Sequence, residues 1–188
     1  MELRYSPVRE AARRWAQDLL GRSDWAILDT ETTGLDARAE VIQIGVLAPD
    51  GTTLLNTLLR PRGLIPYDAI AIHGITDAMV ATAPAYREVQ PTLFDLLCGR
   101  TVICYNAAFD RRMLEQTARR HEVPDLPVSW QCAMEMYAQY LGQWSGRRGG
   151  YHRVSLPRGS SYGPDKHQAL DDCFATLEVI RKMAGHSS

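Results

Sequence analysis

Residues 25–34 read Trp-Ala-Ile-Leu-Asp-Thr-Glu-Thr-Thr-Gly. Four apolar residues lead into Asp29 and Glu31, and a strand is the natural reading of Trp25–Thr30. The strand period of two places Trp25, Ile27, Asp29 and Glu31 on one face. Two carboxylates side by side at a buried strand end repel each other and lose hydration. A hard divalent cation such as Mg²⁺ or Mn²⁺ relieves both penalties. A strand that ends in a turn, with both acids in water, fits the same ten residues.

Working outward, Val41–Leu47 and Thr53–Leu59 read as two further strands, separated by the turn signal Pro49-Asp50-Gly51. Ahead of them, residues 6–21 read as a helix, with Ser6 as N-cap, Pro7 in the first turn and Gly21 at the end. Ala11, Ala12, Trp15 and Leu19 lie near one face of it. Beyond the third strand, a loop with Pro61, Gly63 and Pro66 leads to two short helical segments near 68–80. The spacing then predicts a helix at 86–97, a strand at Thr101–Tyr105, a helix at 107–121, a short strand and helix within 128–141, and a last helix at 168–184. Residues 142–166, rich in Gly, Arg and Ser, read as a loop. Three meandering strands followed by alternating helices and strands imply an α/β fold, a mixed sheet with helices packed on it.

Two more acids occupy unusual places. On a helix over 107–121, Ala107, Met113, Leu114, Thr117 and Ala118 form the apolar face, and Asp110 falls in its middle. Burial there calls for a cation, unless the helix N-terminus alone stabilises the charge. On the last helix the apolar stripe is Ala169, Cys173, Leu177, Ile180 and Ala184. Asp171 points about 160° from its centre and Asp172 about 100°, so Asp172 can look along the sheet. His167 lies five residues before Asp172 on the Gly163-Pro164-Asp165-Lys166 approach. Alone it reads as a solvated loop histidine.

Composition bounds the rest. The chain has 188 residues, 45% hydrophobic and 23% charged, enough for one globular domain with an appendage. Cys98, Cys104, Cys132 and Cys173 form no Cys-x-x-Cys pair, which argues against a disulfide framework or a zinc site. With no secretory signal and no apolar run of about 18 residues, the expectation is no membrane partner and a cytoplasmic location. The net charge of −1 argues against a protein that coats nucleic acid.

Taken together, Asp29-Thr30-Glu31-Thr32-Thr33-Gly34, Asn106-Ala107-Ala108-Phe109-Asp110 and His167-Gln168-Ala169-Leu170-Asp171-Asp172 resemble the three motifs of the DnaQ-like, DEDDh-class exonucleases. Ala71-Ile72-His73-Gly74-Ile75-Thr76 resembles a further segment of that family. The resemblance covers about residues 24–184, with 1–23 as an N-terminal helical extension and 185–188 as a short tail. It is closest in kind to the proofreading epsilon subunit of DNA polymerase III and its stand-alone homologues. It implies a ribonuclease H-like fold, with a five-stranded mixed sheet of three antiparallel and two parallel strands flanked by helices. Four departures stand out. Cys173 replaces an Ala, Asp171 a small residue and Tyr105 a His, and Pro157 cuts short a helix that Ser155-Leu156 would lead.

The resemblance further implies metal-dependent release of 5′-mononucleotides from DNA 3′ ends, with two Mg²⁺ or Mn²⁺ ions clamping the attacking and leaving oxygens. By that resemblance Asp29 bridges both ions, Glu31 and Asp172 complete the water-activating site, Asp110 holds the second ion, and His167 is the general base. Thr32, Thr33 and Gly34 line the terminal nucleotide, with His73, Asn106 and Phe109 bordering it, although core packing serves Phe109 equally well. Arg147, Arg148 and Arg153 lie in the 142–168 loop with Arg158 and Lys166 against only Asp165, interleaved with Trp144, Tyr151 and Tyr162. Such a loop suits a flap that holds a single strand, or it is a solvated loop.

Gln90-Pro91-Thr92-Leu93-Phe94 loosely resembles a sliding-clamp peptide, but its helix should face the core. The chain lacks the long tail of epsilon subunits, so a free-standing exonuclease is expected, or one with a different polymerase or repair partner. An exoribonuclease and a non-catalytic nucleic-acid or polymerase-binding module are the competing classes. The presence of all four acids and the histidine argues against the second.

Overall fold

The structure is a computed structural model that describes residues 6–147, 149–157 and 168–186. Helix α1 (Pro7–Leu20) precedes a meander of β1 (Trp25–Thr32), β2 (Val41–Leu47) and β3 (Thr53–Leu58). Helices α2 (Tyr67–His73), α3 (Asp77–Val80) and α4 (Tyr86–Leu97) lead to β4 (Thr101–Cys104). Helix α5 (Ala107–His121), strand β5 (Ser129–Cys132) and helix α6 (Ala133–Leu141) follow. A small ribbon of β6 (Trp144–Ser145) and β7 (Gly150–Tyr151) comes before α7 (Ala169–Ala184).

The main sheet has the order β3-β2-β1-β4-β5. The β1–β2 and β2–β3 pairs are antiparallel, and the β1–β4 and β4–β5 pairs are parallel. The chain dictates this split. Pro49-Asp50-Gly51 closes a tight turn in which Gly51 N–H donates to Ala48 O and Gly51 takes φ +94°. The later strands are separated by helices, the connection that parallel pairing requires. This is the ribonuclease H-like mixed sheet that the motifs imply.

Both faces of the sheet are covered. Ala26, Leu28, Ile44, Val46 and Val102 pack with Tyr86, Leu93 and Leu97 of α4 and Met113 and Leu114 of α5. Trp25, Ile27, Leu47 and Ile103 pack with Ala16 and Leu19 of α1, Tyr137 of α6, and Cys173, Leu177 and Ile180 of α7. Each fully buried side chain of this size contributes roughly 1.5–3 kcal/mol. Trp25, deepest in the second layer, also donates its indole N–H to Leu19 O.

Four local details differ from the sequence reading. Strand β1 runs on to Thr32, because Glu31 pairs with Gln43 and Thr32 with Val41 across a bulge. The two acids therefore sit inside the ladder rather than at its end. The buried face of α1 is Ala12, Ala16 and Leu19, while Ala11 is exposed and half-buried Trp15 donates to Gln131 Oε1 at 2.7 Å. Ser6 makes no side-chain cap and Gly21 stays right-handed. The Arg- and Gly-rich segment holds the β6–β7 ribbon, where Trp144 meets Tyr151 edge to face at 5.3 Å. Residues 152–157 carry no helix, and the segment that would continue one past Pro157 lies outside the described residues. In the clamp-like stretch, Gln90 and Leu93 are buried in the core layer.

Candidate active site

Asp29 and Glu31 project from β1 toward α7, on the face shared with Trp25 and Ile27. Asp172, in the first turn of α7, meets them there. One carboxylate oxygen from each of Asp29, Glu31 and Asp172 lies within 4.8 Å of the others. Asp29 is half-buried, and Glu31 and Asp172 are buried. Three hard oxygen donors at this spacing have the chemistry and the separation to share one divalent cation. The N-terminal position of Asp172 adds the favourable field of the helix end.

Strand β2 explains why α7 lands there. Gly45 stands opposite Asp29 and Gln43 opposite Glu31. A Cβ on Gly45 would come within 2.7 Å of Leu170 N and 2.8 Å of Ala169 C, so only glycine admits the helix start. Gln43 Oε1 accepts the Ala169 backbone N–H at 3.1 Å, and its amide donates to Gln168 Oε1 at 3.2 Å. Gln168 in turn donates to His73 O at 2.9 Å. These two residues of an otherwise apolar strand seat the helix that carries Asp172. Asp171, its neighbour, is half-buried and outside the cluster.

Asp110 comes from the opposite side of the sheet. It lies on the α5 face, is 2% exposed, and accepts a 2.8 Å hydrogen bond from the Thr30 hydroxyl. Thr30 alternates with Asp29 and Glu31 along β1, so a single strand presents groups to both sides. Burial pushes the Asp110 carboxyl up to about 7, against the opposing Thr30 bond, and the nearby Asp172 adds to the rise. Desolvation of a carboxylate favours its neutral form, so a cation at this end would restore the charge.

The acids floor an open cleft of about 1020 Å³. Thr32, Thr33, Gly34, His73, Asn106, Phe109 and Arg153 all line it. The turn is self-bonded: Thr32 Oγ1 donates to Gly34 O, Thr33 N–H donates to Glu40 O, and Thr33 Oγ1 accepts from Glu40 N–H. His73 is buried, and its Nδ1 accepts the Ile75 N–H at 3.0 Å. Phe109 serves both of its expected uses, packing against the α5-side core while facing the cleft under Arg112. Arg153 pairs with Glu135 at 2.9 Å, whereas exposed Arg147 does not border the cleft. His167 and Arg148 lie outside the described residues.

Sequence reasoning missed Leu35, Met134 and Val154 in the cleft wall, and Gln43 and Gly45 behind it. Gln43 had a signal, as a polar side chain in the buried run Val-Ile-Gln-Ile-Gly-Val-Leu. Tyr105, noted as a departure from the family pattern, has a definite task. Its hydroxyl hydrogen-bonds to Val154 O at 2.9 Å and Ser155 O at 3.2 Å, fixing that segment along the cleft.

Residues 26–180 match the family model described as RNase T exonuclease. The chain is 35% identical over 195 residues to the uncharacterised exonuclease CP81 of Escherichia phage 186, covering 98% of this chain and 97% of that one. It is 32% identical over 161 residues to exodeoxyribonuclease 10 of Escherichia coli K12, covering 82% of this chain and 66% of that protein. Among solved structures, exonuclease X in complex with 5′ overhanging duplex DNA aligns with a TM-score of 0.56 at 31% identity. That alignment covers 87% of this chain and 94% of that one.

Proposed function

From the premise that the chain belongs to the RNase T, DnaQ-like exonuclease family, we propose that it removes 5′-mononucleotides from the 3′ ends of DNA. The observation that carries the reading is the convergence of Asp29, Glu31 and Asp172 within 4.8 Å at the floor of the cleft. DNA is preferred over RNA as substrate because exodeoxyribonuclease 10 and the DNA-bound exonuclease X are both similar along most of this chain. The catalytic unit is residues 24–184, with helix α1 (Pro7–Leu20) packed on it as a buttress.

Two divalent cations, when bound, supply Lewis-acid stabilisation to the attacking and leaving oxygens of an in-line displacement. Asp29, Glu31 and Asp172 would hold one, and Asp110 would join in holding the other from the α5 side. His167 would take the proton of the attacking water as general base. Phe109 and the Thr32–Gly34 turn border the terminal nucleotide, and Arg153 holds a backbone phosphate. Asp172 is positioned by Gln43 and Gly45, and the Val154–Ser155 approach to the third motif by Tyr105.

End-labelled DNA and RNA oligomers, incubated with Mg²⁺, Mn²⁺ or EDTA and resolved on a gel, test the proposal. Stepwise shortening of 5′-labelled DNA, abolished by EDTA, is the expected result. Shortening of RNA alone would make the protein an exoribonuclease. No cleavage with either metal would leave a nucleic-acid-binding module.

A further inference from the structure

A second depression, of about 420 Å³, lies where the segment after β3, the start of α4 and the end of α5 meet. Arg60, Arg62 and Arg87 line it together with His121, Glu88 and Ala85. All three arginines are exposed, and among the described residues none forms an ion pair. The one acid in the wall, Glu88, is already engaged, since its carboxylate accepts the Ala85 N–H at 2.6 Å. His121 is 4% exposed, and its Nε2 contacts Glu40 at 3.1 Å. Its Nδ1 and the nearby Arg120 Nε are buried without a hydrogen-bond partner among the described residues. Buried polar atoms left unmatched are uncommon, and here two belong to cationic or protonatable groups beside a basic hollow.

Glu40 ties this hollow to the cleft. Its backbone bonds both ways with Thr33, which borders the cleft. Its carboxylate holds Arg120, His121 and the Arg62 N–H. Helix α5 spans the same interval, with Asp110 near its start and His121 at its end. Eleven residues at 1.5 Å each separate the two by roughly 16 Å. A nucleic-acid strand in a duplex advances 3.4 Å per step, so the interval corresponds to roughly five nucleotides.

We infer that the Arg60–Arg62–Arg87 hollow binds the sugar-phosphate backbone of the nucleic-acid substrate, about five nucleotides from the end being cut. This rests on the exonuclease reading above. It gives a near-neutral protein a second, sequence-blind grip that anchors long substrates and not short ones. Guanidinium groups suit that ligand, since they present paired donors to phosphate oxygens.

The test compares the wild type with the triple variant Arg60→Gln/Arg62→Gln/Arg87→Gln. Binding of a fluorescent 20-nucleotide hairpin with a short overhang is measured in EDTA across a salt series. Cleavage of that hairpin and of a trinucleotide is measured with Mg²⁺. In the variant, hairpin affinity should fall about tenfold at low salt, and the plot of log K against log salt should flatten by roughly two to three units. Trinucleotide cleavage should stay within twofold of wild type, and thermal unfolding should be unchanged. An unaltered salt slope, or an equal loss on the trinucleotide, would overturn the inference. Equal weakening of 5′-mononucleotide binding would also overturn it, by making the hollow a nucleotide site. A wild type that cleaves nothing defeats the exonuclease reading instead, while the EDTA binding arm still decides the role of the hollow.

Discussion

On the α7 face of β1, three carboxylates converge and one, Asp29, keeps contact with solvent. On the α5 face, Asp110 sits among apolar neighbours and takes a hydrogen bond from Thr30. The same strand serves both sides, yet the two sides handle acid differently. The first clusters charge that a cation must neutralise, and seats it with Gln43 and Gly45. The second suppresses charge by burial, and a cation would restore it. The site without cations is therefore held together against repulsion on one face and against desolvation on the other.

The largest effect should come from breaking the α7 face outright. Asp172→Asn or Glu31→Gln should abolish cleavage. Either should also remove most of the thermal stabilisation that Mg²⁺ or Mn²⁺ gives the wild type, about 2.7 kcal/mol when the cation stands at 100 times its Kd. Calorimetry with and without metal reads this directly, and cleavage near the wild-type rate would remove the cluster from catalysis.

His167→Ala tests the proposed base separately from the four acids. A lost general base costs on the order of 10²–10⁴-fold in rate. Cation-dependent stabilisation and DNA affinity should stay at wild-type levels, which separates this variant from the acid variants. A change in metal binding equal to that of Asp172→Asn would make His167 part of the cation site instead.

Asp110 gives the α5 face its own signature. Its carboxyl rises from 3.8 to about 7 in the folded, metal-free protein, chiefly through burial. Between those values the folded state keeps a proton that the unfolded chain has released. Its contribution to stability is complete below 3.8 and is lost as pH climbs through about 7. In EDTA the wild type should therefore lose stability from about pH 4 up to about pH 7, and no further above it. Asp110→Asn should remove that loss and gain on the order of 4 kcal/mol at pH 8, while cleaving no DNA. Identical pH profiles for the two proteins in thermal unfolding would show that Asp110 ionises freely.

Much of this contrast was legible in the sequence because it follows from periodicity. A period of two put Asp29 and Glu31 together, and a period of 3.6 put Asp110 on an apolar face and Asp172 at the edge of one. What could not be read were contacts between distant segments that leave no local pattern. Gly45 matters only because Ala169 and Leu170 arrive against it. The Tyr105 hydroxyl finds its partners about fifty residues later, at Val154 and Ser155. Arg60, Arg62, Arg87 and His121 gather into one hollow from three segments whose separate charge counts are unremarkable. The β6–β7 ribbon escaped because its strands are two residues each, too short for alternation to show.

The smallest effect probes how the two faces are kept in register. Gln43 is buried at 5% exposure, directly across from Glu31, and bonds to the first N–H of α7 as well as to Gln168. It contacts no reacting group, so it acts by position. Gln43→Leu keeps the volume and removes these bonds, together with the 3.5 Å contact to Asn56 Oδ1, leaving the Ala169 N–H without its partner. Loss of a helix cap of this kind costs roughly 1 kcal/mol. Supporting residues behind a metal site typically change affinity or activity by 10–100-fold, and about tenfold is expected here. Because the displaced group is Asp172, the loss should be in cation dependence: the Mn²⁺ or Mg²⁺ concentration for half-maximal rate should rise, while the rate at saturation stays near wild type. The pH step assigned to Asp110 should not move, since Gln43 stands on the other face. Gln43→Glu retains an acceptor for Ala169 and should restore part of the stability, yet it adds a fourth carboxylate beside Glu31 and should lower cation selectivity. If Gln43→Leu changed the saturated rate and the Asp110 pH step together, the two faces would be one cooperative unit rather than two independently built halves.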